Sequence, residues 1–164
     1  MHYIFVIRLS HSTLTKMKIL FFALILLSAC SQMQKDMSKQ AAQEIITTDK
    51  SMSDLAVKEG FFHTLLKFAD ENVVKPQERE YPVIGRQNLE KYWSGKPDTK
   101  NISWVPFKAE ASKSGDMGYS LGDWKLTTQD TTYYGNYYTI WKRQNDGSWK
   151  FVVDGGNGTP APRK

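Results

Sequence analysis

Asp49 is an acid at a position where helical spacing calls for an apolar residue. Residues 41–57 carry apolar side chains at that spacing. With Ile45 at zero and an advance of about 100° per residue, Met52 falls at about 340°, Ala56 at about 20° and Asp49 at about 40°. A carboxylate on such a face is costly to bury unless it is paired or protonated. Against an apolar cavity wall, burial would raise its pKa and suit it to general acid or base work. The structural alternative is an Asp49 that accepts bonds from a sheet tyrosine, a tryptophan N–H or the main chain. Asp154 is the second acid of interest, at the end of the last predicted strand. It reads either as an acid at a cavity mouth or as a turn former before Gly155. Trp104, Tyr119, Tyr137 and Trp141 have two readings as well. They could line a cavity and hold a flat or apolar ligand, or they could pack the core across strands. Asp123 falls mid-strand, with no pattern to choose between interior and solvent.

Other chemistries lack their residues. His63 is the only histidine beyond residue 11, and its helical position is on a polar face. Cys30 is the only cysteine. Neither a His/Cys metal cluster nor a histidine-based catalytic triad can be assembled from them. No GxxxxGK segment is present, and Gly155-Gly156-Asn157-Gly158 precedes no helix that could receive a phosphate. The reading is of a protein with no metal and no organic cofactor.

The elements that must position these residues follow from the patterning. Helices are expected over 41–57, 58–70 and about 86–93, with Gly95, Pro97 and Asp98 ending the last. Val73-Val74 begin a short strand, and Pro76 and Pro82 punctuate an irregular hairpin. Four strands follow, over 102–112, 117–128, 132–143 and 148–154. Turn chemistry joins them at Ser114-Gly115-Asp116 and Asn145-Asp146-Gly147. Helices followed by an antiparallel meander mean an α+β fold. Residues 155–164, GGNGTPAPRK, read as a flexible tail.

The start of the chain carries a different signal. The 164 residues have a formal net charge of +5. Ile19–Leu27 is an unbroken apolar run behind Lys18. It is shorter than the ~20 residues needed to span a bilayer, so residues 1–29 read as a signal peptide, with Met17 as an alternative start. The sequence Leu27-Ser28-Ala29-Cys30 resembles the lipobox of bacterial lipoproteins. The resemblance implies that Cys30 is lipidated, that residues 30–40 are a polar tether, and that membrane is a partner. Ser31 after the cysteine resembles an outer-membrane address, with the domain facing the periplasm. Removing residues 1–29 takes away three bases and no acids, leaving 19 bases and 17 acids. No basic stripe remains, which argues against nucleic acid as a partner.

Several stretches of residues 41–154 resemble the nuclear transport factor 2-like superfamily, including its SnoaL-like and ketosteroid isomerase-like branches. They are Val83-Ile84-Gly85-Arg86, Trp104-Val105-Pro106, the run Ser114 to Gly122, Gly135 to Lys142, and Asp146 to Asp154. The resemblance implies a cone-shaped fold, with N-terminal helices packed in a curved antiparallel sheet and a pocket inside. It also implies three functional readings: binding of a small apolar or aromatic molecule, cofactor-independent acid–base catalysis, or a homodimerising interaction domain. The Asp, Tyr and second acid of ketosteroid isomerases have no matching motifs here. Asp49 with Tyr119 or Tyr137 supplies the chemical types alone.

Overall fold

The computed structural model describes residues 35–163. The expected signal peptide, Cys30 and the first part of the expected tether lie outside these residues. Three helices precede or interrupt six strands. They are α1 (Ser38–Glu59), α2 (Phe61–Phe68), β1 (Ala69–Gln77), β2 (Glu80–Ile84), α3 (Arg86–Trp93), β3 (Ile102–Ala111), β4 (Met117–Thr127), β5 (Thr132–Arg143) and β6 (Trp149–Thr159). Among the described residues no helix is long and apolar enough to cross a membrane.

The long helix exists because its small and apolar residues recur at helical spacing. Ala41, Ile45, Asp49, Met52, Ser53 and Ala56 form one buried stripe along α1. Gly60 ends it with a φ of 115°, a value that favours glycine, and α2 begins at the next residue. The cap of α2 comes from far along the chain. Asp98 accepts the main-chain N–H of Phe62 at 2.7 Å and of His63 at 3.0 Å, which satisfies two donors at a helix start. Phe62 then stacks on Trp93 of α3, with ring centroids 4.8 Å apart.

The strands form one open sheet in the order β2-β1-β6-β5-β4-β3. All neighbours are antiparallel except β1 and β6, which run parallel. Register shifts between Pro106 and Lys108 in β3, and between Ile140 and Trp141 beside β6, are bulges, which bend strands. The α1 helix lies against the inner face of β3 and β4. Trp141, Phe151, Ile45, Leu65, Leu89 and Val73 are fully buried beneath it and around it. This is the α+β architecture expected, with a mixed sheet in place of a purely antiparallel one.

Three expectations need correction. Residues 155–159 are not a tail, because β6 continues through them to Thr159 and pairs with β5 from Tyr134 onwards. The glycines that read as a loop make a strand without side chains. Ser38–Gln40, expected in the tether, are the first turn of α1. The second helix is also shorter than 58–70, because Gly60 separates it from α1 and β1 begins at Ala69.

Candidate functional site

A cavity of about 340 Å³ lies between the two N-terminal helices and the inner face of the sheet. Its roof is Met52 of α1 with Phe61 and Leu65 of α2. Trp104 and Ile102 of β3 and Trp124 and Leu126 of β4 form one side. Tyr137 and Thr139 of β5 and Asp154 to Gly158 of β6 continue it, and Lys75 and Glu78 stand at the β1 end. Size and lining fall in the range of small-molecule sites, which are mostly apolar with a few placed polar groups.

Glycines shape the floor. Gly122 of β4 pairs with Tyr137 of β5, and Trp124 of β4 pairs with Gly135 of β5. A Cβ on Gly122 would collide with the Tyr137 ring, and a Cβ on Gly135 would collide with the Trp124 ring. Each aromatic therefore lies across the glycine opposite it, and the two crossed pairs set two rings side by side on the sheet. On the next strand Gly156 and Gly158 take the inner positions opposite Tyr137 and Gly135. Gly158 leaves open space where a side chain would stand, whereas Gly156 admits the close approach of the Asn136 carbonyl, which a Cβ would meet.

Behind this floor sits Asp49, fully buried. Its Oδ1 accepts the Trp104 indole N–H at 2.8 Å, and its Oδ2 accepts the Tyr137 hydroxyl at 2.9 Å. Ser120 also bonds to it, and Ser120 in turn accepts the Trp141 indole N–H at 2.9 Å. Ser53, one turn along α1, accepts the main-chain N–H of Trp104 at 2.8 Å. Burial raises the Asp49 pKa; the bonds from Ser120, Trp104 and Tyr137 oppose the rise, and the charge of Asp154 adds to it. The Tyr137 phenol is raised too, first by burial and then by the neighbouring Asp49 charge.

At the β1 end the Lys75 ammonium stands 2.8 Å from Asp154 Oδ2 and 3.2 Å from the Asp154 carbonyl oxygen. Thr139 donates its hydroxyl to Asp154 Oδ1 at 2.9 Å. The Lys75 and Asp154 side chains are 17% and 14% exposed, so the pair is largely shielded from solvent. The register between β1 and β6 ends at Val74 and Val153. Pro76 has no N–H to continue the ladder, and the lysine ammonium takes the next carbonyl instead.

The structure thus brings Trp104, Tyr137 and Asp154 together on the cavity wall. It places Asp49 one layer back, separated from the cavity by the two side chains it holds. Two expected cavity residues are elsewhere. Tyr119 points to the outer face of the sheet, where its hydroxyl meets Lys108 and Glu110, because Ser120 and Gly122 take the inner positions of β4. Trp141 has the inner parity of Tyr137 but lies farther along β5, fully buried and edge-on to Phe151 in the core. Asp123 is also on the outer face, held by Arg163 at 2.8 and 3.0 Å. Lys75, Thr139 and Trp124 were not anticipated. Among the described residues no three His, Cys, Asp or Glu side chains are grouped to hold a metal.

No protein-family model and no curated protein matches the sequence. Solved structures do match, at the level of fold. A ketosteroid isomerase-like protein from Erwinia carotovora atroseptica SCRI1043 is similar with a TM-score of 0.55 and 11% identity, over 71% of this chain and 95% of that one. An NTF2-like protein of unknown function from Shewanella oneidensis MR-1 gives 0.54 and 15%, over 68% and 94%. The S. rosetta CaMKII hub gives 0.52 and 16%, over 72% and 96%. The chain therefore has the nuclear transport factor 2-like fold. That fold carries isomerase-like proteins and hub assemblies alike, so it does not choose among functions.

Proposed function

We propose that this domain is a small-molecule-binding module, held at the bacterial envelope by a lipid on Cys30 and facing the periplasm. The observation that carries the binding reading is the cavity floor. Two aromatic rings are laid across crossed glycine pairs, and Gly158 leaves open space beside them on the adjoining strand. A sheet that needed only a packed core would fill the Gly158 position with a side chain. The ligand is apolar or aromatic, because rings and aliphatic chains make up most of the wall. The anchoring reading rests on the Leu27-Ser28-Ala29-Cys30 sequence.

Catalysis by Asp49 is the weaker reading. Its oxygens are engaged by Trp104, Tyr137 and Ser120, and it has no open path to a bound molecule. A second role is supported by a separate observation. Val105, Met117 and Tyr138 are 69%, 42% and 42% exposed at separate points of the outer sheet face. An outer face with this much apolar surface fits pairing with a second copy.

Native mass spectrometry of the chain from Ser31 onwards tests the binding reading. A co-purifying small molecule is expected, and Gly158→Leu is expected to expel it. The space around a Gly158 Cβ is open, with Tyr134 O nearest at 3.9 Å, so the leucine enters the cavity without disturbing the strand. A ligand retained by the folded variant would place binding elsewhere.

A further inference from the structure

The cavity's polar groups have a common orientation. The Trp104 indole N–H is spent on Asp49, and the Trp124 indole N–H is spent on the Asn136 carbonyl at 3.2 Å. Tyr137 donates to Asp49 and Thr139 donates to Asp154. Each hydroxyl thereby shows only lone pairs to the cavity. Asp154 accepts from Thr139 and Lys75, and a carboxylate has further acceptor capacity beyond those two bonds. Among the charged side chains of the described lining, Lys75 is the one donor. Two of its three N–H groups are directed at Asp154, and the carboxylate neutralises its charge. Glu78 at the mouth is 88% exposed and pairs with Arg79 at 3.7 Å, so it adds little net charge to the cavity. The faces of the Trp124 and Tyr137 rings carry the negative side of the aromatic quadrupole.

We infer that the ligand is a ring compound that donates hydrogen bonds and is neutral or cationic, and that Asp154 and Lys75 set this charge preference. The inference rests on the binding reading above and adds the chemical class to it. An anion would meet the lone pairs of Tyr137 and Thr139 and the Asp154 carboxylate, with a single lysine that is already paired. An ammonium or hydroxyl on a flat ring would lie over the aromatic floor and donate to Asp154, Thr139 or Tyr137.

Three probes of one shape decide the matter: 2-naphthylmethylammonium, 2-naphthylmethanol and 2-naphthoate, titrated calorimetrically at neutral pH into the chain from Ser31 onwards. The ammonium and the alcohol are expected to bind, and the carboxylate to bind about tenfold or more weakly. Asp154→Asn leaves Lys75 without its counter-charge and is expected to invert the order, while Lys75→Gln is expected to widen it. The two variants act in opposite directions, so either one that folds reports on the inference. Equal binding of all three probes, lost in Gly158→Leu, would overturn the charge preference and leave the binding reading standing. No binding of any probe would overturn both.

Discussion

The Tyr137 hydroxyl donates to Asp49 Oδ2 at 2.9 Å, which turns the proton of a cavity residue away from the cavity. The direction of that bond depends on the charge of Asp49. An ionised carboxylate can only accept, so Tyr137 must donate inward. A protonated one can donate to the phenol oxygen and release the tyrosine proton towards a ligand. Asp49→Asn imitates the second state, because its amide NH₂ can face Tyr137 while its oxygen keeps Trp104. This variant is expected to fold and to gain affinity for naphthoate relative to the parent. Calorimetry of the two side by side is the measurement. Asp49→Ala instead leaves an indole N–H and a phenol buried without partners, and is expected to cost roughly 3 kcal/mol in denaturant unfolding.

The raised Asp49 pKa also predicts a pH dependence with a definite sign. The folded protein binds this proton more tightly than the unfolded chain, whose Asp titrates near the ordinary 3.8. The stabilising contribution is complete below that value. It is lost as pH rises through the folded-state pKa, and no further change comes from this group above it. Asp49→Asn has no such proton. The difference in unfolding free energy between parent and Asp49→Asn is expected to shift against the parent as pH increases across this window. A difference independent of pH would mean that Asp49 titrates normally.

The crossed glycine pairs make a packing prediction. Gly135→Ala places a methyl group against the Trp124 ring and the Asn157 carbonyl, both of which must shift. A loss of about 2 kcal/mol is expected, together with a shift in tryptophan emission as the ring tilts off the floor. Gly147→Ala meets no atoms but has a φ of 84°, so it costs backbone strain alone and leaves the emission unchanged.

Asp98 holds the start of α2 from 35 and 36 residues away in sequence. Asp98→Ala is expected to cost about 1 kcal/mol and to speed hydrogen exchange at the Phe62 and His63 amides. Because α2 supplies Phe61 and Leu65 to the cavity roof, the same change is expected to weaken ligand binding.

Two predictions concern where the protein sits and what it pairs with. Cys30→Ser in the full chain is expected to abolish labelling with a fatty-acid analogue and to release the protein from the membrane fraction. Val105→Asp puts a charge on the outer sheet face and is expected to lower the mass seen by light scattering from dimer to monomer. An unchanged mass would remove that face as the pairing surface.

The sequence carried the site unevenly, for reasons visible in single residues. Asp49 was conspicuous because a helix wheel shows an acid on an apolar stripe, and its partners proved to be the kinds of group expected for a structural acid. Tyr119 misled because the inner positions of β4 are small. Gly118, Ser120 and Gly122 make room for Ile45, Trp141 and Tyr137, so the larger side chains of that stretch face outward and the usual alternation is inverted. Gly155 to Gly158 misled in the same way, since glycines that clear space for a cavity look like a loop. Lys75 gave no signal at all. Its role comes from Pro76 ending the β1–β6 ladder and from Asp154 arriving beside it from the far end of the chain.

The parallel pairing of β1 with β6 has a kinetic consequence. The two strands are joined through Ala69 with Phe151 and Val74 with Val153, so the first strand of the sheet finds its central neighbour only in the last. A growing chain that has produced β1, β2 and both N-terminal helices still has no complete sheet to fold them against. Closure across about 80 residues is slow relative to local helix and hairpin formation. Until β6 arrives, the nascent hairpin keeps an unpaired edge, and a chain cut before Trp149 would lose its N-terminal hairpin's anchorage along with its last strand.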